Sequence, residues 1–266
     1  DALGKGENNM QDHRETIVRA GLLWLALAAS AAYAGLTQVP PPYVQAAIAE
    51  PTRPERDRDR DADRLPGPVI EFAGIKSGDK VAELMPGRGY FTRIFCRVVG
   101  DKGHVYAVSI NRAIKPEHPP APDEATPNPC TNVTADSKDA SDFSLPAALD
   151  VVWTSENYHD LHNKMFGSPD MHAFDSAIFK ALKPGGVFVV EDHAAESGSG
   201  ARDTDTLHRI DQKLVVQELT SVGFVLDSSS NLLHHADDAH TAKVFDLHDK
   251  TDRFLLKFRK PKGHRG

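Results

Sequence analysis

The residues best placed for chemistry lie in the segment VAELMPGRGYFTRIF, Val81–Phe95. Glu83 stands just before the turn Pro86–Gly89, whose proline and two glycines let the backbone bend tightly and approach a ligand. A dinucleotide site of the G-x-G-x-x-G type needs a third glycine, but Thr92 occupies that position, so NAD is disfavoured. A carboxylate near the end of a strand instead suits a ligand that carries an ammonium group.

A second polar group, SENYHD at Ser155–Asp160, follows an apolar stretch. Asn157 can accept and donate hydrogen bonds, while His159 titrates near neutrality and could take a proton from an incoming nucleophile. The pattern therefore predicts catalytic roles for Asn157 and His159. The alternative is that His159 only caps the loop or faces solvent.

A third polar group, Asp192 and His193, ends another apolar stretch. Ligands of open α/β sheets bind at the carboxyl ends of the strands, so both side chains are also predicted to be catalytic. Arg209 and Asp211 of the segment LHRID are predicted to join them on the acceptor side. The alternative is that Arg209 and Asp211 pair with each other on a helix face.

Histidines are frequent, but no spacing organises them into a metal site. Neither an H-E-x-x-H pattern nor a paired-cysteine motif occurs among them, so no metal ligand is predicted. The histidines considered are His159, His162, His172, His193, His208, His234, His235 and His240.

The apolar periodicity places these polar groups at strand ends. Strands are predicted at Lys80–Leu84, His104–Ile110, Asn132–Asp136, Asp150–Thr154, Val187–Glu191, Phe224–Asp227 and Phe254–Phe258. Helices are predicted from Tyr90 to Gly100, at Met171–Leu182 and at Thr206–Val222. This alternation predicts an α/β fold: a Rossmann-like, doubly wound, mostly parallel seven-stranded sheet with helices on both faces and a terminal antiparallel hairpin.

The chain resembles the class I S-adenosylmethionine-dependent methyltransferases, and within them a family of predicted bacterial, often exported, methyltransferases of undefined substrate. The resemblance covers roughly residues 52–261 and is carried by RDADRLPGPVIEFAGIKSGDKVAELMPGRGYFTRIF, DVVWTSENYHDLHN, ALKPGGVFVVEDHAA, LHRID and TDRFLLKFRKP. Two positions depart from the broad superfamily. Met85 stands where the first loop glycine is usual, and Ser109 stands where an acidic residue usually binds the ribose.

The resemblance implies S-adenosylmethionine as the cofactor, and this ligand carries the ammonium group that Glu83 suits. The loop Met85–Gly89 would embrace its methionine part, Ser109 and Asn111 its ribose, and Asp136 with Ser137 its adenine edge. The full set of predicted cofactor-binding residues is Glu83, Met85, Pro86, Gly87, Arg88, Gly89, Tyr90, Ser109, Asn111, Asp136, Ser137 and Ser155.

The N-terminal segment has the pattern of an export signal. Arg14 and Arg19 precede the apolar run AGLLWLALAASAAYA, and Ala32–Ala34 has the small-x-small form of a signal-peptidase site. Residues 1–34 are therefore interpreted as a tag-like extension and signal peptide, cleaved after Ala34, which implies a periplasmic or secreted protein. The alternative is a helix that stays on a cytoplasmic protein. The predicted organisation continues with a linker and N-terminal helices at 35–65, a methyltransferase domain at 66–261 and a basic tail at 262–266.

The composition of the chain argues against some classes of binding partner. A net charge of -7 and a pI near 6.0 argue against a broad nucleic-acid-binding face. The alternating charges of Glu55–Arg64 are expected to form a solvated helix face, and VIEFAGI, Val69–Ile75, to cover the ligand end of the sheet. Cys96 and Cys130 are expected to be free thiols, with a disulfide as the alternative for an exported protein.

Together these features predict methyl transfer from S-adenosylmethionine to a small-molecule acceptor, without nucleic acid and without stable membrane insertion after signal cleavage. The alternative is an exported, non-catalytic binding protein that retains the methyltransferase fold. The sequence predicts neither the acceptor nor the oligomeric state.

Overall fold

A mostly parallel sheet organises the chain, whose computed structural model describes residues 39–114, 130–247 and 250–263. Its described strands are β1 (Lys80–Leu84), β2 (His104–Ile110), β3 (Val133–Lys138), β4 (Leu149–Ser155), β5 (Leu182–His193), β6 (Val225–Ser230) and β7 (Arg253–Arg259). They form one seven-stranded sheet in the order β3-β2-β1-β4-β5-β7-β6. The first five strands pair in parallel, and β7 is antiparallel to both β5 and β6. The predicted fold class is confirmed.

Short helices flank the sheet. In the described residues they are α1 (Pro42–Ile48), α2 (Glu55–Arg58), α3 (Asp61–Arg64), α4 (Pro66–Ala73), α5 (Tyr90–Val99), α6 (Met171–Ala181), α7 (Thr204–Leu207) and α8 (Gln212–Ser221). Single 3-10 turns lie at Ala140–Asp142, His159–His162, Lys164–Phe166 and Val244–Asp246. Among the described helices, none combines the length and the apolar character that crossing a membrane requires.

Successive side chains of the strands pack alternately into two separate hydrophobic cores. Ala82 and Leu84 of β1 belong to the cluster that includes Ile178 of α6, whereas Val81 belongs to the cluster that includes Ile94 of α5. Successive strand residues point to opposite faces, so a strand that is apolar at every position is buried on both sides. Helices therefore cover both faces and leave the carboxyl ends of the strands for the site.

The predicted helix Thr206–Val222 is wrong, because the segment is broken in its middle. Ile210 forms a parallel bridge with Ala194, and α8 begins only after Asp211. The Asp211 carboxylate accepts a hydrogen bond from the backbone N–H of Lys213, at 3.0 Å, and so caps the helix. The capping residue and the bridge together end the helical path that the apolar spacing indicated.

The expectation of two free thiols is also wrong, because Cys96 and Cys130 form a disulfide. The bond joins α5 to the chain just before β3, across 34 residues of sequence. Part of that span, residues 115–129, lies outside the described residues. Disulfides persist mainly in oxidising compartments such as the periplasm, so the bond bears on the prediction that the protein is exported.

Candidate functional site

A cavity of about 660 Å³ opens at the carboxyl ends of β1, β2 and β4. The lining residues from the strand ends and the loop after β1 are Glu83, Leu84, Met85, Pro86, Gly87, Arg88, Ser109, Ile110, Trp153, Ser155, Glu156 and Asn157. The remaining lining residues are Arg56, Asp57, Arg60, Arg64, Tyr90, Phe91, Arg112, Asp160 and Phe166. This is the edge of an open α/β sheet at which ligands bind.

The loop after β1 leaves the cavity in front of it open, because Gly87 has no side chain. Gly87 has φ +54°, and a Cβ placed on it meets no atom within 4 Å, so a side chain there would project into open space. Met85 also has a positive φ, of 51°, a conformation that normally costs a non-glycine residue about 1 to 2 kcal/mol. Asn157 stabilises this turn by donating from Nδ2 to the carbonyl of Met85, at 2.9 Å.

Glu83 is a buried carboxyl group on the wall of the cavity, with 3% of its surface exposed. Burial raises the pKa of Glu83 to about 8, while a hydrogen bond from Thr92 and the charges of Arg64 and Arg93 lower it. A bound ammonium group would favour the ionised form and pull the pKa back down. Glu83 therefore has the position and the chemistry to hold a cationic ligand group.

We expect cofactor affinity to rise with pH because of Glu83. If the ligand's ammonium pairs with ionised Glu83, binding below the raised pKa must release a proton. Affinity for S-adenosylhomocysteine should then increase at least about tenfold between about pH 5.5 and pH 7.5, a range in which amino groups remain largely charged. Isothermal titration at several pH values, in buffers of different ionisation enthalpy, measures both the affinity and the proton release.

The matched variant for this experiment is Glu83→Gln, which keeps the shape of the side chain and removes the titration. Its affinity should be lower at neutral pH by about 1 to 3 kcal/mol, the scale of a hydrogen bond to a charged group. It should also lose the pH dependence. A wild-type affinity that does not change with pH would remove Glu83 from the ammonium site.

The charged segment Glu55–Arg64 covers the cavity, so the expectation of a solvated helix face is wrong. Arg56, Arg60 and Arg64, spaced four residues apart, all line the cavity. Asp57 also lines the cavity, but it is largely buried and pairs with Arg93 of α5 at 2.6 Å. The segment thus contributes arginines to the cavity and is attached to the domain by buried ion pairs.

Further contacts attach the same segment to α5. Asp61 pairs with Arg53 at 2.7 Å and accepts a hydrogen bond from the Tyr90 hydroxyl at 2.6 Å. The guanidinium of Arg64 lies over the Tyr90 ring, 4.9 Å from its centroid. α4, which was expected to cover the ligand end, instead packs Val69, Ile70 and Ala73 into the core on the α5 side.

Glu156 lines the cavity and forms the centre of a charge network on its wall. It accepts hydrogen bonds from Arg64 and, at 2.7 Å, from Nη1 of Arg253, which also donates to Glu191 at 3.0 Å. Burial acts to raise the pKa of Glu156, but Arg64, then His193 and Arg253, hold it well below its usual range. The ionised carboxylate therefore connects α3 to the ends of β4 and β7.

His159 lies behind the cavity wall and is only 2% exposed. Its Nδ1 and its backbone N–H each bond a different oxygen of the Asp192 carboxylate, both at 2.7 Å. Burial acts to lower the pKa of His159, but the Asp192 carboxylate raises it above its ordinary value. From the segment Ser155–Asp160, Ser155, Glu156, Asn157 and Asp160 line the cavity, whereas His159 does not.

His193 is separated from the cavity as well. Its Nδ1 lies 2.9 Å from the Thr251 hydroxyl, and its ring centroid lies 6.0 Å from that of His159. Burial lowers the pKa of His193 to about 4, so its imidazole is neutral at physiological pH. The structure thus brings His159, Asp192 and His193 together in one buried cluster that contacts the site through Asp160.

Three predicted cofactor residues lie away from the cavity. Asn111 donates to Asp139 at 2.8 Å and accepts from the Ser137 hydroxyl, and Asp136 pairs with Lys138 at 2.9 Å. All three predicted residues, Asn111, Asp136 and Ser137, are exposed beside β3 and are not among the lining residues. Among the residues predicted to bind ribose and adenine, only Ser109 lines the cavity.

Arg209 and Asp211 neither pair with each other nor face the cavity. Arg209 is fully buried, bonds the carbonyl oxygens of Ala194 and Ala242, and pairs with Asp238 at 2.8 Å. Asp211 caps α8. Both residues therefore fix the path of the chain after β5, and their predicted place on the acceptor side is wrong.

Comparison with known proteins shows that the chain is similar to methyltransferases. No family model matches the chain. The ubiquinone/menaquinone biosynthesis C-methyltransferase UbiE of Pseudomonas paraeruginosa is 30% identical over 135 residues, which are 49% of this chain and 48% of that protein. The chain thus spans about half the length of this curated relative. The protein-L-isoaspartate O-methyltransferase of Ignicoccus hospitalis is 26% identical over 157 residues, 59% of this chain and 66% of that protein.

Solved structures show the same fold. A SAM-dependent methyltransferase from Aquifex aeolicus is 17% identical, with a TM-score of 0.50 over 78% of this chain and 98% of its own. The [4+2]-cyclase SpnF has a TM-score of 0.53 at 16% identity, over 85% of this chain and 98% of its own. The fold thus occurs with more than one activity. The chain has the fold of S-adenosylmethionine-dependent methyltransferases and is similar in sequence to curated methyltransferases.

Proposed function

We propose that this protein transfers a methyl group from S-adenosylmethionine to a small-molecule acceptor. One observation carries the proposal: the carboxyl ends of β1, β2 and β4 enclose a cavity in which a buried Glu83 and the open space at Gly87 lie side by side. The fold and the sequence similarity to methyltransferases support the same assignment.

The residues present fit this cofactor. Glu83 would hold the ammonium, the loop Met85–Gly89 would contact the methionine part, and Ser109 would contact the ribose. When bound, S-adenosylmethionine supplies a sulfonium whose methyl group is already activated. The protein's task is then to align the acceptor with that methyl group, and Ser155 and Asn157 at the end of β4 are placed to do so.

The buried pair His159–Asp192 would act on the acceptor through Asp160 rather than by direct contact. Asp160 lines the cavity, and its Oδ1 lies 3.4 Å from Nε2 of His159. In this arrangement His159, held by Asp192, is a positioning residue for Asp160. The neutral His193 completes the packing of this cluster.

The charges around the cavity favour an acceptor with an anionic group. Within the described residues the lining arginines are Arg56, Arg60, Arg64, Arg88 and Arg112. The lining carboxyl groups are Asp57, Glu83, Glu156 and Asp160. Five arginines face four carboxyl groups, and burial disfavours the charge of one of these, Glu83, so the cavity is positive on balance. A small carboxylate or phosphate ester fits this field.

Methyl transfer is tested directly with S-adenosylmethionine labelled in its methyl group. The wild-type protein is incubated with two matched sets of small acceptors, one carboxylated or phosphorylated and one uncharged. We expect labelled product and S-adenosylhomocysteine, mainly from the anionic set. Cofactor binding without turnover on any acceptor would instead support the non-catalytic binding protein, which the comparisons with methyltransferases do not favour.

Export is proposed as well, with a mature N-terminus at Gly35. Residues 1–38 lie outside the described residues, so the support comes from the basic and apolar pattern before Ala34 and from the Cys96–Cys130 disulfide. N-terminal sequencing of protein isolated from the native host should begin at Gly35, with the disulfide intact. A cytoplasmic product that retains Met10 would contradict export. It would not bear on the proposal of methyl transfer.

A further inference from the structure

Three side chains with metal-binding atoms converge at the edge of the cavity. They are His159, Asp160 and His208, and one ligand atom from each lies within 4.8 Å of the other two. Oδ1 of Asp160 lies 3.4 Å from Nε2 of His159 and 3.7 Å from Nδ1 of His208. Two residues of this group are neighbours in sequence, whereas His208 comes from the end of α7.

The position of His159 is fixed by a carboxylate on its far side. Asp192 is completely buried and bonds both Nδ1 and the backbone N–H of His159. Because an ionised carboxylate can only accept, Nδ1 donates, so in the neutral imidazole the lone pair is on Nε2, the atom beside Asp160. Histidines that bind metal ions are commonly held in this way, with the second nitrogen on a carboxylate.

The separations suit a small divalent ion. Ligand atoms about 2.0 to 2.2 Å from zinc lie about 2.8 to 3.6 Å apart in octahedral or tetrahedral coordination. The separations of 3.4 and 3.7 Å from Asp160 lie in or just above this range, and all three ligand atoms lie within 4.8 Å of one another, so the side chains must move closer together to share one ion. Two imidazoles and one carboxylate are a donor set typical of zinc and of other first-row transition ions.

We propose that His159, Asp160 and His208 bind a divalent transition-metal ion of the Zn²⁺ class at the acceptor side of the cavity. Asp160 lines the cavity, so the ion would lie where an oxygen or nitrogen of the acceptor can reach it. An acceptor atom bound to the ion would lose its proton more readily. The sequence predicts no metal ligand here, because His208 is 48 residues from Asp160 along the chain. The proposal does not depend on methyl transfer, because ion binding is measured without cofactor.

The experiment uses the full chain after treatment with a chelator. Co²⁺ is added as a spectroscopic probe, and Zn²⁺ is then titrated by calorimetry and in competition with Co²⁺. We expect one ion per chain, with visible Co²⁺ absorption that Zn²⁺ abolishes. His208→Ala should weaken binding about 100-fold or more, and Asp192→Asn about 10- to 100-fold, the range for a group that orients a ligand.

Two controls separate this site from other histidines. A second group, His234 and His240 with Asp252, has contacts of 2.7 and 2.9 Å and is the obvious competitor. His234→Ala should leave ion binding unchanged, as should His172→Ala at an exposed position of α6. Since His208 is only partly buried, its variant is expected to fold, and its thermal unfolding provides the check.

The outcomes are distinct. Equal binding by wild type and His208→Ala, or binding lost in His234→Ala alone, overturns the assignment. The absence of any binding by the wild type would show that the three side chains form only a charge cluster, and it too overturns the proposal. Neither result bears on cofactor binding by Glu83 and the glycine loop.

Discussion

Gly87→Val should abolish the binding of S-adenosylhomocysteine, with a loss of affinity of about 100-fold or more. Gly87 has φ +54°, and nothing lies within 4 Å of the position of a Cβ there. A valine would extend branched methyl groups into the cavity, where the methionine part of the ligand is proposed to lie, and it would strain the left-handed backbone. Calorimetric titration of the variant, after its fold has been verified by circular dichroism, gives the measurement.

The matched control is Gly78→Val. Gly78 also has a left-handed φ, of +88°, and open space around its Cβ position, but it lies in the turn before β1 and does not line the cavity. This variant should show a similar loss of stability and unchanged ligand affinity. If folded Gly87→Val binds as well as wild type, the loop is not the cofactor site.

Glu156→Gln should lower the free energy of unfolding at neutral pH by about 3 kcal/mol, the lower end for breaking a buried ion pair. The lower end applies because Arg253 keeps Glu191 as a partner, whereas Arg64 loses its close carboxylate. Since the pKa of Glu156 is depressed in the folded protein, its contribution is present above about pH 4.5 and is lost as the pH falls below that value. The difference between wild type and variant should therefore shrink in acid.

The control for this charge network is Asp227→Asn at the edge of the sheet. Asp227 pairs with Arg259 at 2.8 Å, but both side chains are partly exposed, so the expected loss is at most about 1 kcal/mol. Chemical denaturation at two pH values measures both variants. Equal losses in the two variants, or a loss at Glu156 that does not depend on pH, would contradict the role assigned to the network.

The strands next to the glycine loop could be predicted from sequence because their signal is local. Lys80–Leu84 and His104–Ile110 are short apolar runs bounded by turn residues, and the structure has both strands with these bounds. The broken helix between Thr206 and Val222 could not be predicted. Its break depends on a bridge to Ala194 and on buried contacts of Arg209, which are far apart in sequence.

The position of the segment Glu55–Arg64 over the cavity could not be predicted for a related reason. Alternating signs in Glu55–Arg64 are typical of a solvated face, and nothing local shows that Asp57 and Arg64 find buried partners. Those partners are Arg93 on α5 and Glu156 after β4. Glu156 belongs to the polar segment SENYHD, so its position at a strand end was a usable signal. Its charge partners could not be predicted, because they come from three other elements.

Of the candidate site, the sequence indicated the glycine loop and Glu83, which the structure places on one cavity. It did not indicate Asp160, the residue of the SENYHD segment that reaches the cavity where His159 does not. The reason is geometric: in the 3-10 turn His159–His162, His159 is buried against Asp192, whereas the neighbouring Asp160 is partly exposed and lines the cavity. Such a turn has no clear apolar periodicity from which it could be read.

Titration of the wild-type chain with S-adenosylhomocysteine shows whether this cavity binds the S-adenosyl cofactor. NAD is the comparison ligand, since it shares the adenosine but lacks the amino-acid part that Glu83 and the loop would hold. We predict one S-adenosylhomocysteine bound per chain and no binding of NAD. No detectable binding of S-adenosylhomocysteine by the folded protein, or equal binding of NAD, would show that the cavity is not the site of the S-adenosyl cofactor.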